Sequence, residues 1–167
     1  MSTTVIKQRA KKLPARAVLR HLGVKKTGGG VVSGCVHGMA GRPVLPPAKL
    51  IAALRAGLPV QELRDLQASL AVPMERLFPM LGLSKATLHR RQTAGRLDPS
   101  ESDRVVRFAR LMGRAVEVME SEANARQWLN APQFGLGGAI PLEYAGTEVG
   151  AREVEDLRGR IEYGVYS

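Results

Sequence analysis

The sequence predicts an all-α protein, and three observations support this prediction. Beyond Pro46, apolar residues recur at spacings of three and four, which is the period of an amphipathic helix. Proline, serine, threonine or aspartate begins these segments, and glycine or asparagine ends most of them, as at helix termini. No segment shows the apolar–polar alternation that is typical of a half-buried strand.

Four short helices are expected first. They run from Pro47 to the residue before Gly57, from Pro59 through Leu70, from Pro73 to Gly82, and from Lys85 to Ala94. Their inward faces are expected to carry large apolar side chains: Leu50, Ile51, Leu54, Leu63, Leu66, Leu70, Leu77, Phe78 and Leu81. Ser84 is placed to cap the fourth helix, and Gly95 is placed to end it.

The strongest helix start is Asp98-Pro99-Ser100-Glu101, with a capping acid, a proline in the first turn and a glutamate at the third helical position. A long helix is therefore expected from about Pro99 to Met119. Its apolar stripe predicts core positions: Val105, Phe108, Ala109, Met112, Ala115, Val116 and Met119. Ser121 begins a further helix with Trp128 and Leu129. Thr147 begins the last helix, whose apolar face is Ala151, Val154, Leu157 and Ile161.

The glycine-rich stretch from Thr27 to Pro43 is expected to be a linker or loop, because each glycine costs a helix about 1 kcal/mol relative to alanine. Its triple glycine lacks the following Gly-Lys-Ser/Thr and the preceding strand of a phosphate-binding loop. His37 is interpreted as a loop residue and Cys35 as a small loop or core thiol. Before this stretch, Pro14 to Leu22 is compatible with a short helix.

Charge is distributed unevenly over the chain, which carries +10 at pH 7. Residues 1–61 hold 11 lysines and arginines and no acid, and residues 85–114 hold eight basic and three acidic residues, a net charge of +5. Residues 115–167 hold four basic and nine acidic residues, a net charge of −5. This split predicts two surfaces with different partners, of which only the basic one attracts nucleic acid. A solvated charged surface is the alternative.

Several classes of protein are disfavoured. No apolar run approaches the ~18 residues of a membrane span, and no apolar segment of a secretory signal follows the first charged residues. A single cysteine excludes an internal disulfide framework, so a cytoplasmic location without a membrane or metal partner is expected. His21, His37 and His89 have no nucleophile or carboxylate at a recognisable spacing, so neither catalysis nor a cofactor is expected.

The third and fourth predicted helices are spaced as in a helix-turn-helix, with Gly82 in the turn. Four leucines then point inward: Leu77, Leu81, Leu83 and Leu88. The outward side of the second helix and the residues beyond it supply the candidate DNA contacts: Ser84, Lys85, Ala86, His89, Arg90, Thr93 and Arg96. Arg91 fits poorly, because the motif usually has an apolar residue there. A rotated helix or a snorkelling arginine would explain it, and a motif that only packs is the alternative to DNA binding.

Short markers in a fixed order connect the chain to a known family. They are Thr87-Leu88 with Arg90-Arg91, Glu101-Ser102-Asp103-Arg104, Trp128-Leu129-Asn130-Ala131-Pro132, Pro141-Leu142, Thr147-Glu148-Val149-Gly150, and Arg160-Ile161 before Gly164-Val165-Tyr166-Ser167. In this order and spacing the chain resembles the Xre-type antitoxins of RES–Xre toxin–antitoxin pairs, the ParS/MbcA-like antitoxin family. The resemblance covers about Pro47 to Ser167 and leaves residues 1–45 uncovered.

The resemblance implies that the two domains of the chain have different functions. The helix-turn-helix domain, residues 46–119, would form a homodimer and bind the promoter DNA of its own operon. The C-terminal domain, residues 120–167, would bind a RES-domain toxin, an enzyme that consumes NAD. Trp128, Leu129 and Pro132 would form the scaffold of this toxin-binding domain, and the last helix would lead into the toxin's NAD site. Residues 1–45 would be a basic, glycine-rich extension of open function.

The residues expected to contact the toxin lie near the end of the sequence: Glu153, Asp156, Arg160, Tyr163, Gly164, Val165, Tyr166 and Ser167. Gly164 would let the chain leave the helix, Val165 and Tyr166 would be apolar anchors, and the carboxylate of Ser167 would mimic a phosphate of NAD. The acids would pair with arginines of the toxin, or form a solvated helix face, and Val165 and Tyr166 would otherwise fold onto their own core. The competing function is a transcriptional regulator whose C-terminal domain senses something else.

Overall fold

The computed structural model describes residues 30–37, 45–162 and 164. The α-helices of these residues are α1 Val31–His37, α2 Pro47–Ala56, α3 Gln61–Leu70, α4 Met74–Met80, α5 Lys85–Ala94, α6 Pro99–Met119, α7 Glu122–Asn130, α8 Pro141–Tyr144 and α9 Glu148–Glu162. A short 3-10 helix, Phe134–Leu136, lies between α7 and α8. The described part of the chain contains no strand, and the all-α prediction is confirmed. The short helix expected at Pro14 to Leu22 lies outside the described residues.

The long helix α6 is the centre of the fold, since α1, α2, α3, α7 and α9 all pack against it. It begins with the expected capping box. Asp98 Oδ1 accepts a hydrogen bond from the backbone N–H of Glu101 at 2.9 Å, and Glu101 Oε2 accepts one from the backbone N–H of Asp98 at 2.8 Å. Its buried face carries the predicted residues Val105, Phe108, Ala109, Met112 and Ala115.

The helix α1 lies in the stretch that was expected to be a loop, so that expectation is wrong for residues 31–37. Its apolar residues are buried against α3 and α6: Val31, Val32, Cys35 and Val36. Its first two amide groups donate to one buried carboxylate, Val31 N to Glu62 Oε1 and Val32 N to Glu62 Oε2, both at 2.8 Å. Burial of the apolar face and satisfaction of the N-terminal amides outweigh the weak helix propensity of Gly34.

Two residues outside α1 make this docking possible. Gly113 of α6 lets the backbone of α1 approach closely, because a Cβ atom there would collide with the carbonyl oxygen of Cys35. Glu62 is only 3% exposed, and burial raises the pKa of its carboxyl group above the usual value. The backbone N–H donors of Val32 and Val31 act in the opposite direction, while the neighbouring Asp65 adds to the rise in pKa.

Helices α4 and α5 form the predicted helix-turn-helix. Gly82 in the turn has φ 66°, a left-handed conformation that favours glycine. Ser84 Oγ accepts a hydrogen bond from the backbone N–H of Thr87 at 3.1 Å, so the predicted cap of α5 is confirmed. Among the residues predicted to face inward, Ile51 is 49% exposed, because α2 packs through Leu50 and Ala53 instead.

The last helices build a small domain around α9. Ser121 Oγ caps α7 by accepting from the backbone N–H of Asn124 at 3.1 Å, and Thr147 Oγ1 caps α9 by accepting from that of Gly150 at 3.0 Å. The core of this domain contains Leu129, Leu142, Ala145, Ala151 and Val154. Within the described ranges, none of the helices combines the length and the apolar character that a membrane crossing would require.

Candidate functional site

The exposed side of α5 presents the predicted DNA-contact residues together. Lys85, Ala86, His89, Arg90 and Thr93 are exposed, as is the capping residue before them. Neither Lys85 nor Arg90 makes a hydrogen bond or an ion pair with any residue that the structure describes, so both charges face solvent. The hydroxyl of Thr93 donates to the carbonyl oxygen of His89 at 3.2 Å and is thus engaged within the helix. A basic exposed helix of this kind can follow a phosphate backbone.

The misfitting Arg91 is explained by two ion pairs. Arg91 Nη2 lies 2.7 Å from Asp98 Oδ2, and Arg91 Nε lies 2.8 Å from Glu101 Oε2. Glu101 is buried, so its charge requires a partner of this kind. Partial burial by itself raises the pKa of Asp98. The hydrogen bonds from Glu101 N and Ser100, together with the charge of Arg91, outweigh it and hold that pKa below the usual value.

Two further arginines also stabilise the fold. Arg104 Nη1 donates to the carbonyl oxygen of Leu81 at 2.8 Å, which closes the C-terminal end of α4. Arg96, one of the predicted DNA contacts, donates through Nη2 and Nε to the carbonyl oxygen of Gly57 at 2.8 and 3.2 Å. Arg96 is therefore half-buried and held against the chain, and its contact with DNA remains a prediction.

Three of the predicted toxin contacts lie on one face of α9. Glu153, Asp156 and Arg160 are spaced by three and four residues, and they lie on the accessible side of the helix. They line an open depression of about 670 Å³, whose opposite wall includes Arg114 of α6. Arg114 Nη1 pairs with Glu155 Oε1 at 2.5 Å and so holds α9 against α6. The face carries charges of both signs, which water solvates in the free chain and which a partner of complementary charge would pair with.

The C-terminal tail is only partly described. Gly164 has φ 66°, and its backbone N–H donates to the carbonyl oxygen of Ile161 at 3.2 Å. This is a left-handed conformation, which favours glycine. Tyr163, Val165, Tyr166 and Ser167 lie outside the described residues, so their contact with a toxin remains a prediction.

Two exposed apolar residues of the C-terminal part of the chain were not identified from the sequence. Phe134 is 97% exposed, and Val149 is 71% exposed. Gly135 lies against Leu157 of α9, because a Cβ atom at position 135 would collide with that side chain. Phe134 is thus held beside α9 while its ring remains in solvent. The signal in the sequence was a phenylalanine in a glycine-rich loop, where no helical or strand period assigns it to a core.

The two halves of the chain are joined by Arg76 of α4. Its guanidinium donates to Glu143 Oε1 through Nη2 at 2.9 Å and to Asn130 Oδ1 through Nη1 at 3.0 Å. Asn130 also donates to the carbonyl oxygen of Leu70 at 3.4 Å. The Arg76 joint, meaning Arg76 with Asn130 and Glu143, therefore connects the first helix of the helix-turn-helix to α7 and α8.

His37 has a carboxylate partner that sequence spacing did not suggest. His37 Nε2 lies 2.7 Å from Glu122 Oε1, and His37 Nδ1 lies 3.0 Å from the carbonyl oxygen of Ser33. Glu122 also pairs with Arg126 Nη2 at 2.6 Å. The interpretation of His37 as a loop residue is wrong, since it joins α1 to α7. Across residues 30–37, 45–162 and 164, no group of three or more possible ligand side chains is placed to hold a metal ion.

These features define a class: a helix-turn-helix with an exposed basic helix, followed by a small helical interaction domain. Two family models match the corresponding parts of the chain. Residues 49–110 match the antitoxin Xre-like helix-turn-helix domain, and residues 114–164 match the antitoxin Xre/MbcA/ParS C-terminal toxin-binding domain.

Two curated relatives are named Antitoxin Xre, and a third is also named as an antitoxin. The chain is 34% identical to "Antitoxin Xre" of Yersinia enterocolitica over 129 residues, which is 76% of this chain and 87% of the relative. It is 34% identical to "Antitoxin Xre" of Photorhabdus laumondii over 120 residues, 71% of this chain and 81% of the relative. It is 24% identical to "Prs ADP-ribosylating antitoxin" of a Sphingobium species over 131 residues, 72% and 82% respectively. The chain belongs to the Xre antitoxin family.

Proposed function

We propose that this antitoxin neutralises a RES-domain toxin that consumes NAD and represses its own operon through α5. It acts in the cytoplasm as a homodimer within a larger complex, by binding alone and without catalysis or a cofactor. The observation that carries the toxin part is the charged face of α9, within the stretch that matches the toxin-binding domain. The alternative is a transcriptional regulator that has no toxin partner.

The charges of α9 suggest how neutralisation works. Arginine and lysine side chains bind phosphate groups strongly, and an NAD-consuming toxin that uses them at the pyrophosphate would present cations to its partner. Glu153 and Asp156 are carboxylates without an ion-pair partner among the described residues. They would compete with NAD for those cations, and Val165 and Tyr166, beyond the left-handed Gly164, would supply apolar anchors. Phe134 adds an apolar anchor beside α9, because an exposed aromatic ring gains the most from burial at an interface.

Co-expression with the product of the neighbouring gene tests this proposal. The wild-type chain is expected to co-purify with that product and to keep cellular NAD constant. Asp156→Arg, Phe134→Ala and deletion of residues 164–167 should each let NAD fall and growth stop. Glu75→Arg is the matched control, because Glu75 is an exposed carboxylate of α4 far from α9 in the sequence. Normal growth with all three variants would refute the assignment to α9 and the tail.

The same experiment also identifies which reaction of NAD the toxin catalyses. One relative is named "Prs ADP-ribosylating antitoxin", so transfer of ADP-ribose to a protein is the second candidate for the toxin's reaction. Both reactions release nicotinamide, so NAD labelled in its adenylate part distinguishes the two outcomes. Label in soluble ADP-ribose products supports NAD degradation, and label on a cellular protein supports ADP-ribosylation. A neighbouring gene unrelated to a toxin, with no effect on NAD, would leave the regulator as the function.

The DNA-binding part rests on the solvent-facing charges of α5. Lys85→Ala and Arg90→Ala should each weaken binding to the promoter fragment. Each should also flatten the plot of log affinity against log salt by roughly 0.9 for each phosphate that the side chain no longer neutralises. Arg152→Ala is the control, because it removes an exposed charge from α9. Unchanged slopes for both variants would mean that the helix-turn-helix serves only as a scaffold. A two-fold symmetric footprint on the promoter would support the homodimer.

A further inference from the structure

We infer that a cleft lined by α2, α6 and α9 is a binding site for a phosphate-sized oxyanion, held by Arg107 and Arg110. The cleft contains no residue of α5, and it shares only Arg114 and Glu155 with the depression beside α9. The inference does not rest on the proposed binding of DNA or of a toxin. Three observations support it: the size of the cleft, a row of arginines within it, and the donors that this row leaves without acceptors.

The size of the cleft suits a small ligand. Helices α2 and α9 both pack on α6, and residues of all three helices line a space of about 210 Å³. Leu50 and Leu54 of α2 and Val106 of α6 form its apolar part. Pockets for drug-sized ligands measure roughly 300–1,000 Å³, so this cleft fits a single phosphate group better than a whole nucleotide.

Three arginines of α6 line the cleft at spacings of three and four, and therefore share one face of the helix: Arg107, Arg110 and Arg114. The outer two hold α9 against α6. Arg107 Nη1 donates to Glu148 Oε2 at 3.1 Å, and Arg114 Nη1 pairs with Glu155 Oε1 at 2.5 Å. Arg110, between them, is exposed and makes no hydrogen bond or ion pair within the described part of the chain. The middle of the row thus has a cation that no carboxylate neutralises.

Arg107 also has donors to spare. Its Nε is buried, and none of the residues that the structure describes accepts a hydrogen bond from it, which is unfavourable for a polar group. Its contact with Glu148 is easily exchanged, because that carboxylate is exposed and also pairs with Arg152. An oxyanion in the cleft would give the Arg107 guanidinium acceptors that the fold does not supply.

The charges of the cleft define the ligand. Side chains three residues apart on a helix lie about 5–6 Å from one another at their Cβ atoms, so Arg107 and Arg110 can bind the same oxyanion, and guanidinium groups match phosphate geometry. Two carboxylates also line the cleft, of which Glu155 is paired with Arg114, while Asp103 has no ion-pair partner among residues 30–37, 45–162 and 164. Asp103 therefore opposes the binding of an anion. A divalent cation held by the carboxylates is the competing ligand.

Calorimetric titration of the full chain with inorganic phosphate, at constant ionic strength, is the first test. The wild-type chain should bind phosphate saturably, and Arg110→Gln should weaken the affinity about tenfold. Asp103→Asn should strengthen it about threefold, because it removes a like charge from the ligand's surroundings. Arg64→Gln is the matched control, since it removes an exposed arginine of α3 that does not line the cleft. No saturable binding, equal losses in the two arginine variants, or weaker binding in Asp103→Asn would overturn the inference.

The second test locates the anion. Crystals of the chain soaked in tungstate, a heavy tetrahedral dianion, should show an anomalous peak between Arg107 and Arg110. Peaks only elsewhere, for example at Lys85 on α5, would overturn the inference. Without phosphate, Arg110→Gln should melt at the wild-type temperature, because Arg110 has no partner to lose in the described ranges. If this variant instead flattens the salt dependence of promoter binding while the wild-type chain binds no phosphate, Arg110 is a DNA contact and the inference fails.

Discussion

Glu62 offers the sharpest test of how the N-terminal part of the chain is held. The substitution Glu62→Ala removes the acceptor of two buried backbone N–H groups, those of Val31 and Val32. Each buried donor left without a partner costs about 1–3 kcal/mol, so the docked arrangement of α1 should lose about 2–6 kcal/mol. A domain of this kind is stable by about 5–15 kcal/mol, so release of α1 is expected before global unfolding.

Hydrogen exchange followed by mass spectrometry measures this release directly. In Glu62→Ala, the amides of α1 should exchange at least tenfold faster, while those of α6 around Phe108 stay protected. Glu75→Ala, which removes an exposed carboxylate, is the control and should leave both regions unchanged. Equal loss of protection in α1 and α6 would mean that the hydrogen bonds between Glu62 and the start of α1 stabilise the whole core. Unchanged protection of α1 would refute the conclusion that Glu62 holds α1 in place through its N-terminal N–H groups.

The remaining predictions concern residues that fix α5 and α1. Asp98→Asn should lower the melting temperature at pH 7 but not at pH 2. Because folding lowers the pKa of Asp98, its ionised carboxylate contributes stability at pH values above the unfolded pKa of about 3.9. This contribution is lost as the pH falls through the folded pKa. Arg91→Ala should lower the free energy of unfolding in urea by about 1–3 kcal/mol, because it leaves the buried Glu101 carboxylate with one partner fewer. In differential scanning calorimetry, Gly113→Ala should destabilise by about 1–3 kcal/mol through its collision with α1, whereas Gly34→Ala, in open space, should stabilise by about 0.4–1 kcal/mol. Equal effects of the two glycine changes would contradict the close approach of α1 to α6.

Sequence alone was sufficient for the elements whose signals are local. The capping box at Asp98, the serine cap of α5 and the turn glycine at position 82 each depend on residues within a few positions of one another. The apolar stripe of α6 follows from its period over 21 residues, which a shorter segment cannot provide. These local signals positioned the helix-turn-helix correctly, and the order of the two domains followed from the resemblance to the antitoxin family.

The sequence did not reveal the features that depend on distant partners. The helix α1 forms because Glu62, about 30 residues away, accepts hydrogen bonds from its first backbone N–H groups. In addition, α6 covers its apolar face. Arg91 departed from the pattern of the motif because Asp98 and Glu101 satisfy its charge. Phe134 was overlooked because exposure is a property of the assembled surface, and no period in the surrounding glycine-rich loop reports it.

The Arg76 joint has a thermodynamic consequence for regulation. Arg76 belongs to the first helix of the helix-turn-helix, yet its guanidinium pairs with Glu143 and donates through Nη1 to Asn130 Oδ1. A toxin that binds one arrangement of this joint more tightly than another alters the affinity for the operator by a fixed factor. By linkage, the operator alters the affinity for the toxin by that same factor. If the proposed function holds, occupancy of the promoter would then depend on the amount of toxin in the cell.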